Sequence, residues 1–175
     1  PALTTTGTGL AYTENAAATV IDPALSVSDV DTASLASATV TISSGFVSGQ
    51  DTLAFTNQSG ITGSWNSGTG VLTLTGSATV ADYQTALRSI TYVNTSESPS
   101  TTARTISFVA SDGTGSSAAA TRNIDVSAVN DAPVLDDTKN PALTVLSKDS
   151  AAPSGAVGTL VSALVDFASP SVQVD

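Results

Sequence analysis

The chemistry of this chain lies in short acidic motifs. Around residue 130 it reads VNDAPVL, Val129 to Leu135, directly after the alternating run TRNIDVSAV. Asn130 and Asp131 offer two oxygen-bearing side chains at adjacent positions, and Pro133 stiffens the exit. Further carboxylates stand at Asp29 and Asp31 in SDVDT and at Asp112 in SDGTG. Oxygen-rich motifs with few bases nearby suit a hard cation. Ca2+ takes about six to eight oxygens, mostly carboxylate and carbonyl, and a cluster of unpaired acids is unstable without a cation. The stretch at Asn130 therefore reads as a metal-binding joint between two modules.

Composition narrows the alternatives. Fifteen acidic residues against five basic ones give a formal charge of −10, which makes nucleic acid and anionic membrane surfaces unfavourable partners. The chain has no Cys, His or Met. Disulfides, zinc sites with imidazole or thiolate ligands, and Ser/His or Cys/His nucleophile pairs are excluded with them. No enzymatic activity is expected. Carboxylate pairs can hydrolyse glycosides, but here the acids sit in turns. No run reaches the ~18 apolar residues that would span a bilayer. The expectation is a soluble extracellular piece whose export signal lies outside it.

The elements that position these acids are strands. Ala, Val, Leu and Ile dominate the apolar set, with Thr and Ser throughout. Period-2 alternation is clearest in Val40 and Ile42, in Ile106, Phe108 and Ala110, and in Ile124, Val126 and Ala128. One apolar face per strand predicts a two-sheet sandwich, an all-β fold. The loops 66–70 and 111–117 have the Gly, Asn and Ser content of hairpin connections. One segment departs from the strand pattern. Val80, Tyr83, Leu87 and Ile90 fall on one helical face, and Thr79 with Asp82 three residues on can cap its start. This predicts one short helix over about 79–90.

Three motifs occur in an order that resembles a cadherin-type repeat. The stretch YTENAAATVIDPALSVSDVDTASLASATVTI resembles the opening of such a repeat, FVASDGTG its later Ala-x-Asp-Gly turn, and IDVSAVNDAPVL its closing Asp-x-Asn-Asp-Asn-x-Pro linker. The resemblance covers about residues 11–135 and is greatest to the cadherin-like repeats found in tandem in very large bacterial surface adhesins and RTX-type secreted proteins. It implies a Greek-key, Ig-like sandwich with Ca2+ half-sites at opposite ends. Asp29, Asp31 and Asp112 would sit at the end facing the preceding module. Glu14, Asn130 and Asp131 would face the next one, with Glu97 standing for the family's acidic pair in the penultimate loop. Ala128 and Ala132 replace an Asp and an Asn of the family linker, which implies fewer ions or a weaker site.

The expected organisation is an N-terminal linker or edge segment over 1–10, the sandwich module over 11–132, and a linker with the start of a following module over 133–175. Lys148 in that second opening stands where Glu14 stands in the first. The function this implies is a calcium-stiffened spacer in a long bacterial cell-surface or secreted adhesin. Its partners would be the adjacent modules, with host or neighbouring-cell surfaces reached through other domains. A glycan- or protein-binding sandwich is the alternative. Asp also favours plain turns, so a turn reading stays open for Asp29, Asp31 and Asp112. Asp51, Asp82, Asp125, Asp136 and Asp137 read as solvated charges, and Trp65 and Tyr92 as core or sheet-face aromatics.

Overall fold

The computed structural model describes residues 1–132; Asp136, Asp137, Lys148 and the expected second opening lie outside the described residues. The chain divides into two compact units, Pro1–Val129 and Asn130–Asp175. The first unit holds strands β1 (Ala2–Thr4), β2 (Leu10–Thr13), β3 (Thr19–Val20), β4 (Ser26–Ser28), β5 (Ser34–Ser44), β6 (Asp51–Ala54), β7 (Thr62–Asn66), β8 (Val71–Thr79), helix α1 (Val80–Arg88), β9 (Thr91–Asn94), β10 (Arg104–Ser111) and β11 (Ala120–Ser127).

The fold is an all-β sandwich. A six-stranded sheet of order β2-β11-β10-β5-β8-β7 faces a three-stranded sheet, β3-β9-β6, and β1 pairs with β4 separately. Alternation dictates which side chains meet. Along β10 the pattern is strictly two-fold, with Ile106, Phe108 and Ala110 buried, and β5 and β8 add Val40, Ile42, Leu72 and Leu74 to the same face. Tyr92 from the small sheet meets Tyr12 of β2 edge to face, with ring centroids 5.0 Å apart. Burying a side chain the size of Phe108 stabilises the fold by roughly 1.5–3 kcal/mol.

Helix α1 forms where the period changes. Thr79 accepts the Asp82 N–H at 3.1 Å, and Tyr83, Ala86 and Leu87 turn inward. The Arg88 Nε donates to the Leu25 carbonyl at 2.7 Å, which ties the last turn to the loop before β4. Just ahead of the helix, the β5–β8 register slips, so Leu35 faces Ala78 whereas Ser37 faces Thr75. Gly76 absorbs the extra residue with φ +136, and a Cβ there would lie 2.3 Å from the Gly60 carbonyl oxygen. Only glycine fits this bulge.

Asp51 corrects the sequence reading. It is not a solvated charge but is buried, 2% exposed, at the start of β6. Its Oδ1 accepts from the Tyr92 hydroxyl at 2.6 Å and Asn94 Nδ2 at 2.7 Å, its Oδ2 accepts the Val47 N–H at 2.8 Å, and the Arg104 Nε lies 3.3 Å from each oxygen. Arg104, fully buried, also donates through Nη1 to the carbonyls of Ser100 and Thr102. Burial, reinforced by the bond to Asp51, pushes the Tyr92 hydroxyl well above the ordinary phenol range. Asp82 is likewise more than a surface charge, because the Thr79 hydroxyl donates to its carboxylate at 2.6 Å. That bond holds its carboxyl below the usual range.

Removing one member of the buried pair leaves the other uncompensated. Asp51→Ala is expected to cost about 3–5 kcal/mol in urea denaturation, whereas the double variant Asp51→Leu/Arg104→Met should recover most of that loss. Equal losses in both variants would show that packing, not charge burial, sets the cost.

Candidate metal centres

Register puts the acidic motifs at two ends of the large sheet. β10 runs antiparallel to both neighbours, with Ser111 opposite Ser37 of β5 and Arg104 opposite Ile124 of β11. The turn after β10, which carries Asp112, therefore lies beside the start of β5, just after Asp31. The end of β11 lies at the other end with the end of β2, since these two strands run parallel and Ser127 faces Thr13. The eight residues of β10 span roughly 26 Å at the usual strand rise, too far for the two ends to share an ion.

At the leading end, Asp29, Asp31 and Asp112 bring carboxylate oxygens within 4.8 Å of one another. Asp29 closes a local turn, its Oδ1 accepting the N–H groups of Asp31 at 3.2 Å and Thr32 at 3.3 Å. The Asp112 Oδ1 accepts from the Thr114 and Gly115 amides, both at 2.7 Å, and from the Thr114 hydroxyl at 2.8 Å. Turn chemistry and clustering thus coexist, because each turn uses Oδ1 of its carboxylate.

Electrostatics separate the three acids. A hydrogen bond from the Asp31 carboxyl, helped by backbone amides, holds Asp29 far below the usual carboxylate range. The same hydrogen bond and the charge of Asp29 push Asp31 up, and Asp112 adds to that push. Asp112 is lowered by its amide and hydroxyl donors. The Asp29 Oδ2 lies 3.1 Å from the Pro1 amino nitrogen. That ion pair requires a free amino terminus, since a proline nitrogen within a longer chain carries neither charge nor proton.

At the trailing end the turn Thr13–Ala16 is closed by the Ala16 N–H on the Thr13 carbonyl at 3.0 Å, with Asn15 at φ 60, a conformation asparagine tolerates. This turn swings Glu14 inward, where it is 5% exposed. Its Oε2 accepts the Val129 N–H at 2.7 Å, while its Oε1 is buried without a hydrogen-bond partner among the described residues. Glu97 brings a carboxylate oxygen within 4.8 Å of Glu14 and accepts from Asn15 Nδ2 at 3.0 Å. Asn130 and Asp131 belong to the second unit, where the Asn130 amide donates to the Asp131 carbonyl at 3.0 Å.

Sequence reasoning missed the residues that hold these ends in place. Asn15 orients Glu97, and its place between Glu14 and three alanines was the available signal. Asp22, fully buried, accepts from the Thr6 amide and hydroxyl, both at 2.7 Å, and lies 3.3 Å from Arg122 Nη1. Nothing in its spacing distinguishes it from a surface acid.

No family model matches this chain, and no solved structure does. Among curated proteins, Halomucin of Haloquadratum walsbyi is 37% identical over 118 residues. Those residues make up 65% of this chain but only 1% of that protein's length. The similarity is thus to a short stretch of a very long protein.

The upward push on Asp31 has a measurable consequence. The folded-state pKa of Asp31 lies above its unfolded value, so its stabilising contribution is present at acid pH and is lost as pH rises through the raised value. In chelator at neutral pH, Asp31→Asn is therefore expected to melt higher than the unsubstituted chain. That advantage should shrink away as pH falls toward about 4, near the ordinary carboxylate range. Asp29 and Asp112 are lowered, and their contributions are lost only at still more acid pH. Paired melts across this range test it, and an advantage independent of pH would rule out the upward push on Asp31.

Proposed function

We propose that this chain is a structural module of a large surface-associated or secreted protein, and that Ca2+ bound at its two ends stiffens its connection to neighbouring modules. The observation that carries this reading is the buried Glu14. A carboxylate with one oxygen withdrawn from water and given no donor is costly unless a cation compensates it. Glu14 also accepts the N–H of Val129, and so sits where the chain leaves the sandwich.

Asp29, Asp31 and Asp112 supply the ligands at the leading end. Glu14 and Glu97 supply them at the trailing end, and Asn130 and Asp131, the next residues along the chain, keep the role that the linker motif gives them. Three supports converge. The motif order resembles a cadherin-type repeat, the acids fall at opposite ends of one sheet, and the curated relative is far longer than this stretch. The length of the curated relative supports a surface or extracellular setting. Trp65 packs edge to face on Phe46, with centroids 6.2 Å apart, instead of standing out as a sugar-stacking platform.

Thermal melts in millimolar Ca2+ and in chelator test the proposal. A ligand bound by the folded state alone adds about 2.7 kcal/mol at a hundredfold excess over Kd. The melting midpoint should rise with Ca2+, and Asp112→Ala and Glu14→Gln should each remove part of the gain, one at each end. Superimposable melts with and without Ca2+ would overturn the reading.

A further inference from the structure

A module in a long tethered protein is pulled by its two ends, and the topology determines how this one meets the load. β2, near where the chain enters, and β11, just before it leaves, pair in parallel, Leu10 with Ile124 through Ser127 with Thr13. Tension drawing the segment before β2 one way and the segment after β11 the other makes these strands slide past each other. Every hydrogen bond between them then lies across the pull and is loaded at once. A hairpin pulled from one end opens one bond at a time.

The ladder is extended on both sides. Ahead of it, the Thr5 hydroxyl donates to the Thr121 carbonyl at 2.6 Å and Arg122 Nε to the Thr8 carbonyl at 3.0 Å. Arg122 is anchored in turn, its Nη1 donating to the Ile21 carbonyl at 2.5 Å and facing buried Asp22. Beyond the ladder, Glu14 donates its N–H to Ser127 and accepts that of Val129. The Asp125 side chain lies over Gly9, where a Cβ would come 2.3 Å from its Oδ2. The strands β2 and β11 thus carry side-chain ties at both ends of a four-residue ladder.

We propose that the β2–β11 pair is a shear clamp and that load bearing along the chain axis is a function of this module. This rests on the spacer reading for its relevance, but the clamp itself belongs to the fold. Since forced unfolding is governed by the unfolding barrier in the direction of pulling, the clamp predicts strong dependence on where force is applied.

The chain contains no cysteine, so handles can be placed singly. Gly7 and Gly115 have open space where a Cβ would be, and Ala132 is exposed. In the full 1–175 chain, handles at Gly7→Cys and Ala132→Cys load the pair in shear, whereas handles at Gly7→Cys and Gly115→Cys peel β2 from the end where both strands begin. Single-molecule pulling at one speed should give a rupture force several-fold higher in shear than in peeling. Arg122→Ala, which removes the tie to Thr8 and its anchor at Asp22, should lower the shear force. Equal forces in the two geometries would overturn the clamp. Repeating both pulls in chelator separates the two ideas: a contrast that survives in a chain whose melts ignore Ca2+ keeps the clamp and removes the calcium joint, and equal forces with and without Ca2+ in a chain whose melts respond to Ca2+ do the reverse.

Discussion

The parallel pairing of β2 with β11 is the constraint on which the rest of the molecule depends. All other strand pairs among the described residues are antiparallel. Parallel neighbours cannot be joined by a tight turn, so nearly the whole sandwich is threaded between them. The pairing carries the chain in along one strand and out along another that points the same way. The turn after β2 and the exit after β11 thereby meet at one end, where Glu14 accepts the Val129 amide. Asp29, Asp31 and Asp112 collect at the other. The two acidic ends and the load path are consequences of one register.

The core that holds this register is apolar with a polar centre. Leu53, Tyr92, Phe108 and Ile106 close the space between the sheets, while Asp51 and Arg104 join β6 to β10 through an ion pair withdrawn from water. Such a pair adds little net stability compared with apolar residues of the same shape, but it penalises any arrangement that separates the partners. Tyr92 and Asn94 bond the same carboxylate, so three strands from two sheets converge on Asp51. In a sandwich with many similar Thr- and Ala-rich strands, a charge that must find its partner discriminates between registers that hydrophobicity alone leaves nearly equal.

Much of the architecture was legible in sequence because it is local. Alternation in β5, β10 and β11 is a period-2 signal, and α1 stood out because Val80, Tyr83, Leu87 and Ile90 follow the helical period with Thr79 at the cap. Asp29, Asp31 and Asp112 were legible as candidates because turn motifs advertise their acids. The burial of Asp51 and Asp22 was not, because a lone aspartate beside Thr or Pro looks the same whether it faces water or an arginine more than fifty residues away. Asn15 escaped notice for a related reason, since its role appears only once Glu97 is brought to it from another loop.

By itself the sequence determined the class of fold, the strand-forming segments and the single helix, because composition, periodicity and turn chemistry act over a few residues at a time. Tertiary structure alone decided which acids cluster, which are buried in the core, and that β2 and β11 form one parallel pair. Those outcomes depend on register between strands separated by up to the length of the module, where the energy of pairing is collective and no short motif encodes it.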